Sequence, residues 1–348
     1  MSGSEVNVLA NRHRIDEARL DEFLRRNLSG FGGLTGLTQF RGGQSNPTYV
    51  IETQHLRYVL RKQPPGDLLP SAHAIDREYR VQRTLGSGPV PVPRMLLYGD
   101  DPAIIGTPFY VMEHLEGRVF RDPRLPGLAA SQRTAGYAAM AKTLADLHAT
   151  DLLQAQLGDL GRHGGYFARQ LRRWTSQYDG LVSTRDPDMD RMIVWLEGKL
   201  PASEATTLIH GDYRLENLIY HPEEPRIIGV LDWELTTLGD PLADLAYNCL
   251  PYHVSLFTQP GFEGNVPHGI PDEAGYRALY EAAGGQAIDG RNWQYALVFS
   301  IFRLAAISAG IYQRSRSGSA SSENASRFME IFRLLVDAGH RIMAGRAA

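Results

Sequence analysis

Leu20, Phe23, Leu24 and Leu28 recur at three- and four-residue intervals, the stripe of an amphipathic helix near the start of the chain. The period then shortens. Residues 34–40, 47–53 and 57–62 form β-type runs, separated by 41–46 (Arg-Gly-Gly-Gln-Ser-Asn) and 54–56, turns short enough for an antiparallel meander. Ser71 is expected to cap a helix ending near Leu85, and strands are predicted at 94–98 and 107–115, the second closing at Glu116-Gly117. From Leu128 the helical period takes over, with Tyr137, Met140, Leu144 and Leu147 on one face. Brief β-type runs at 207–209, 218–220 and 227–231 precede helices predicted at 242–249, 273–282, 293–312 and 325–344, with 315–322 as a Gly- and Ser-bearing connector. The pattern predicts an α+β chain: a small antiparallel β lobe with one internal helix over residues 1–115, then a larger, mainly helical lobe over 116–348.

Size and composition agree with two lobes. A chain of 348 residues exceeds what one core usually serves, and 43% hydrophobic with 22% charged residues is ordinary for a folded soluble protein. Thirty-six basic against 39 acidic residues leave no cationic surplus to replace counterions on a phosphate backbone, so nucleic acid is not an expected partner. Cys249 is the only cysteine, which excludes an intrachain disulfide and a CxxC pair and fits a reducing cytoplasm. Residues 1–14 lack the apolar core of a secretory signal. The apolar stretch 293–312 is as long as a membrane span, yet Gln294 and a central Arg303 would be costly in lipid, so a buried core helix is expected and no membrane association.

The chemistry concentrates in His210-Gly211-Asp212-Tyr213-Arg214-Leu215-Glu216-Asn217, followed by an apolar strand and Asp232-Trp233-Glu234. Kinase-type phosphoryl transfer uses an Asp to accept the proton of the attacking hydroxyl, an Asn five residues on, and a later Asp after a strand to hold Mg²⁺. Asp212, Asn217 and Asp232 match those places, and an amide and a carboxylate supply the oxygen ligands a hard cation takes. Arg214 is positioned either to neutralise charge on the transferred phosphoryl group or to pair with Glu216 or Asp240. His210 is expected to brace the loop rather than carry protons, Asp244 to bond its backbone, and Asp240 to cap a helix ahead of Pro241. Gly42 and Gly43 sit in a turn where backbone can approach phosphates and Gln44, Ser45 and Asn46 can donate, although a plain hairpin turn has the same composition. Glu78 shares a stripe with Ala74, Val81 and Leu85, and an inward carboxylate needs a cation. Arg61 and Lys62 are the candidates, and strand alternation allows only one of them on the Glu78 side.

The loop HGDYRLENLIY and the motif LDWE resemble those of the aminoglycoside phosphotransferase-like kinases, which include choline and homoserine kinases, over roughly residues 30–310. Within that family the likeness is greatest to the kinase-like domains associated with acyl-CoA dehydrogenases, through RGGQSNPTYVIET, YVLRKQPPG, SAHAIDREYRV and GTPFYVMEHLEGRVF. The resemblance implies a protein-kinase-like two-lobe fold, ATP as donor and Mg²⁺ on Asn217 and Asp232, with Asp212 as base and Arg214 beside it. It puts Arg61 where the family carries a phosphate-contacting Lys, leaving Lys62 at the surface. It also implies that Met112 lines an adenine site and that backbone groups of Glu113 and Leu115 pair the base. The implied activity is transfer of the γ-phosphoryl group to a small-molecule hydroxyl, with a hydroxyacyl group or its CoA thioester as leading acceptor, built against by helices after Arg169. No A-P-E motif or long activation segment follows Asp232, as a protein kinase would require. Two rivals stand beside it: a metal-dependent phosphohydrolase using His210, Asp212 and Asp232, and a nucleotide-binding pseudokinase acting as an interaction module, which Arg61 in place of Lys would suit.

Overall fold

Strand alternation over residues 48–62 resolves into a sheet covered on both faces. Strands β1 (Gly36–Gln39), β2 (Thr48–Glu52), β3 (Arg57–Lys62), β4 (Met95–Gly99) and β5 (Phe109–Glu113) lie in the order β1-β2-β3-β5-β4, antiparallel throughout. On one face Tyr49, Ile51, Tyr58, Leu60 and Val111 pack with Leu20 and Leu24 of helix α1 (Glu17–Asn27) and Ile105 of the four-residue helix α3 (Pro102–Ile105). On the other, Val59, Tyr110 and Met112 meet Ile75 of α2 (Ile75–Leu85). The central strands β3 and β5 therefore bury side chains on both faces in nearly continuous runs, while β1, β2 and β4 are more open.

The structure is a computed structural model and describes residues 15–40, 46–66, 74–182, 184–257, 260–262, 264–316 and 325–345. The Ser71 cap and most of the 315–322 connector lie outside the described residues. The chain divides into two units, Met1–Glu116 with Ile228–Glu234, and Gly117–Ile227 with Leu235–Ala348. Val230 donates its N–H to the Pro91 carbonyl at 2.8 Å, which ties the 228–234 segment to the sheet unit. Among the described residues that unit holds two helices after the amphipathic opening where one was expected; α3 was missed because its four residues, capped by Asp101, are too few for a period.

Lys62 corrects a further expectation. It is 2% exposed, on the Leu60 face of β3, with Nζ donating to the Ile105 carbonyl at 3.3 Å. It is a buried residue, not a surface one, because α1 and α3 cover the face that alternation leaves to it.

The second unit comprises α4 (Ala130–His148), α5 (Tyr166–Leu181), α6 (Pro187–Gly198), α7 (Pro241–Asn248), α8 (Glu273–Ala282), α9 (Gly290–Arg316) and α10 (Ala325–Met343), with short strands β6 (Thr207–Ile209), β7 (Leu218–Tyr220) and β9 (Thr237–Gly239); β8 (Ile227–Val230) straddles the boundary. β6 and β9 pair antiparallel, Leu208 opposite Leu238. Three residues of β9 carry no readable alternation, so the sequence showed only a direct run into Gly239-Asp240-Pro241. Helix α9 is long and apolar enough to cross a membrane, but 72% of its apolar window is buried within the protein. Ala296, Val298, Ile301, Phe302 and Ala305 line its buried side.

Candidate active site

In the second unit, β6 delivers the chain into residues 210–217. Gly211 adopts φ +85, and a Cβ there would stand 2.7 Å from the Leu235 carbonyl oxygen, so the turn needs glycine. Asp244, in the first turn of α7 and 1% exposed, accepts the His210 N–H at 2.6 Å and the Gly211 N–H at 2.8 Å. Burial pushes its carboxyl up, but His148, 3.4 Å away through Nε2, together with His210 outweighs this and holds it below the usual carboxylate range. His210 Nδ1 accepts the Asp212 amide at 3.2 Å, which engages that nitrogen in holding the loop.

The loop then folds back on its own acid. Asn217, at the end of a 3₁₀ turn, donates through Nδ2 to both the carbonyl oxygen and Oδ2 of Asp212, each at 2.9 Å. Arg214 Nε lies 3.2 Å from the same Oδ2, and its Nη1 lies 3.1 Å from Glu216 Oε2. Of the acids weighed for Arg214, Glu216 is therefore its partner. Asp240 instead caps α7, accepting from Leu242 N at 2.9 Å and from Ala205 N at 3.1 Å, and burial pushes its carboxyl up to about 6. Beside Arg214, Leu215 and Glu216 lies a small cleft, enclosing about 30 Å³, whose lining includes Arg121, Tyr137, Met140 and Asn248.

In the first unit, a second cluster forms around Arg61. Its Nε is 2.8 Å from Glu78 Oε2, and its Nη2 is 2.9 Å from Asp232 Oδ1 and 3.3 Å from Glu234 Oε2. Strand register puts Arg61, not Lys62, on the Glu78 side. Asn46 Nδ2 donates to Glu78 Oε1 at 2.7 Å and the Tyr110 hydroxyl donates to Oε2 at 3.1 Å. Burial raises the Glu78 carboxyl; for Arg61, burial pulls the guanidinium down, but Glu78, Tyr110, Asp232 and Glu234 outweigh it and hold it above its ordinary range. Asp232 sits at φ +66, an uncommon conformation for a non-glycine residue.

The remaining sequence-derived positions are less gathered. Met112 is buried against Val59 and Ile75 on the α2 face. The Glu113 N–H is already taken by the Arg94 carbonyl at 3.0 Å, and its Oε1 accepts the Arg94 N–H, so that amide is not free to pair a base. Leu115 lies beyond the end of β5 in irregular backbone. Gly42, Gly43, Gln44 and Ser45 lie outside the described residues. Sequence reading missed Glu234 and Tyr110. The alternation Tyr110-x-Met112 on β5 puts the tyrosine on the Glu78 side and was the available signal for it; nothing in Asp-Trp-Glu announces that its Glu reaches Arg61.

The donor chemistry suits Mg²⁺. Asn217 uses its nitrogen for Asp212, which leaves Oδ1 without a hydrogen bond among the described residues, and Asp232 Oδ2 is likewise outside the Arg61 pair. Both are hard oxygens. No group of three or more His, Cys, Asp or Glu able to hold a metal occurs among the described residues, so a His-rich metallohydrolase centre has no ligand set there.

The profile of the phosphotransferase enzyme family matches residues 36–289. The chain belongs to that family. It is 47% identical over 296 residues to acyl-CoA dehydrogenase family member 10 of Mus musculus, covering 84% of this chain and 28% of that protein. Identity is 41% over 345 residues to acyl-CoA dehydrogenase family member 11 of Homo sapiens, covering 97% and 44%. This phosphotransferase thus spans less than half the length of these curated relatives. Among solved structures, an aminoglycoside phosphotransferase-type protein of Ralstonia eutropha superposes with a TM-score of 0.86 at 40% identity, covering 96% of this chain and 100% of that one. The aminoglycoside phosphotransferase APH(4)-Ia, in a ternary complex with AMP-PNP and hygromycin B, superposes at 0.58 with 16% identity over 92% and 98% of the two chains and shares the fold alone. The α+β, protein-kinase-like fold expected from the sequence is therefore the fold of this phosphotransferase.

Proposed function

We propose that this phosphotransferase moves the γ-phosphoryl group of ATP to the hydroxyl of a hydroxyacyl compound, free or as its CoA thioester. The observation that carries the phosphotransfer reading is the Asp212 carboxylate, fixed on Oδ2 by Asn217 and Arg214. The Tyr247 hydroxyl also hydrogen-bonds this carboxylate, and the group so held is the one to accept the hydroxyl proton as the oxygen attacks phosphorus. Arg214 offers positive charge beside the forming bond, and Glu216 keeps it oriented. Arg61, held by Glu78, is the cation for donor phosphates, and Asn46 fixes Glu78 from its other oxygen. Asn217 in the second unit and Asp232 in the first each offer an oxygen of the kind Mg²⁺ takes, and Mg²⁺ when bound supplies charge neutralisation on the phosphates.

The acceptor class rests on the cavity beside Arg214. It holds two arginines against one carboxylate, and that carboxylate is already paired. Arg121 has no hydrogen bond or ion pair among the described residues. Tyr137, Met140 and three prolines supply apolar wall. Such a lining favours an anionic or carbonyl-bearing chain and disfavours a polycationic aminoglycoside. Arg121, Tyr137 and Met140 precede Arg169, so this acceptor site begins earlier in the chain than the sequence suggested.

The test is an ATP-consumption screen over hydroxyacyl-CoAs, free hydroxyacids, amino alcohols and aminoglycosides, with Asp212→Asn alongside. Turnover confined to the first two groups and absent in the variant is expected. Turnover with aminoglycosides alone would overturn the acceptor class, and phosphate release independent of any acceptor would replace transfer by hydrolysis.

A further inference from the structure

Arg303 stands in the middle of α9, between Phe302 and Leu304, and is 9% exposed. A buried guanidinium is costly unless a carboxylate compensates it. Arg303 forms no ion pair with a carboxylate among the described residues. Its Nη2 donates instead to the carbonyl oxygen of Gly211 at 2.6 Å, and its guanidinium lies 5.2 Å from the centre of the Tyr247 ring. A charge retained at such cost for one carbonyl and one ring raises the question of what they control.

The Gly211 carbonyl and the Asp212 amide belong to the same planar peptide unit. His210 Nδ1 takes the amide at 3.2 Å, and Arg303 takes the carbonyl on the opposite edge. The plane that sets the backbone direction of Asp212 is therefore pinned on both sides, while Asp244 separately holds the Gly211 N–H. Tyr247, the second group that Arg303 contacts, stands next to the Asp212 carboxylate, whose charge helps to raise its phenol along with burial.

The geometry points to Arg303 as a positioning residue for phosphoryl transfer: from α9 it fixes the Gly211–Asp212 peptide and the Tyr247 ring, and so aims the Asp212 carboxylate. This rests on Asp212 being the base. A shift of the attacking geometry by a fraction of an ångström lowers turnover without touching nucleotide binding.

The experiment is Arg303→Met, which keeps the length of the stem and removes the charge. Met keeps the stem's packing, and relief of the buried charge partly offsets the loss of one donor to the Gly211 carbonyl. The melting temperature should stay within about 5 °C of wild type and ATP affinity within about twofold, while kcat falls about 10- to 100-fold. Arg303→Ala should be partly rescued in kcat by added guanidinium, and Arg303→Lys, which can still reach a carbonyl, should fall between. A well-folded Arg303→Met with kcat within twofold of wild type overturns the inference. So does a loss of melting temperature, ATP affinity and kcat together in all three variants, which describes a packing residue. Asp212→Asn, measured in parallel, separates the two layers: if it loses turnover while Arg303→Met does not, the positioning role fails and the kinase reading stands; if it keeps full turnover, both fail.

Discussion

Around Arg61, charged and polar groups from positions 46, 78, 232 and 234 converge through their side chains, three of them carboxylates around one guanidinium. Around Asp212, the partners are mostly neighbours in sequence, and the loop is held by backbone groups engaged with His210, Asp244 and Arg303. The first arrangement is an ion-pair network whose members lose their compensation if one is removed. The second is a braced loop in which single side chains can be exchanged while the backbone stays in place. Stability is therefore expected to depend most on Arg61 and turnover most on Asp212.

The largest effect expected is on chemistry. Asp212→Asn keeps an oxygen for Asn217 to bond but removes the base, so kcat should drop by about 10²–10⁴, or roughly 3–5 kcal/mol, with ATP affinity and melting temperature nearly unchanged. A parallel loss of stability would mean that the loop is not braced independently of its acid. Arg61→Ala should show the reverse. It leaves Glu78 buried without its cation, and denaturant unfolding should report a loss of about 3–5 kcal/mol, reduced when Glu78→Gln is added. If the single variant unfolds like wild type, the network is not what holds this part of the sheet unit.

A smaller effect tests the α7 cap. Asp240 has its carboxyl pushed up to about 6 from an ordinary 3.8, so the folded state binds its proton more tightly than the unfolded chain. The stabilisation this gives is complete below the unfolded value and disappears as pH rises through the folded one. Stability should therefore increase as pH falls from 7 toward 5, and Asp240→Asn should remove on the order of 1–3 kcal/mol of that slope, read by urea unfolding at several pH values. An unchanged slope would assign the pH dependence elsewhere. The smallest effect belongs to Lys62. Burial lowers its ammonium pKa, and among the described residues that ammonium hydrogen-bonds a single carbonyl. Lys62→Met should leave kcat unchanged and stability equal to wild type or up to about 2 kcal/mol higher, whereas Lys62→Ala should cost stability through the lost stem. A loss of ATP affinity on Lys62→Met would return the phosphate role to Lys62.

By itself, the sequence determined what is local. The spacing Asp212 to Asn217 places an amide one 3₁₀ turn from a carboxylate, and no distant residue is needed for the two to meet. Alternation on β3 put Arg61 and Lys62 on opposite faces, and the stripe on α2 turned Glu78 inward, so their pairing was legible once both elements were recognised. Tertiary structure decided what depends on chain reversal. It brought residues 228–234 onto the sheet unit, so that Asp232 and Glu234 reach Arg61; it covered the second face of the sheet and buried Lys62; and it set Arg303 of α9 against the Gly211 carbonyl. In the sequence Arg303 is only a polar interruption of an apolar helix, because the carbonyl that gives it a purpose is a backbone atom, present at every residue and distinguished only by where the fold puts it.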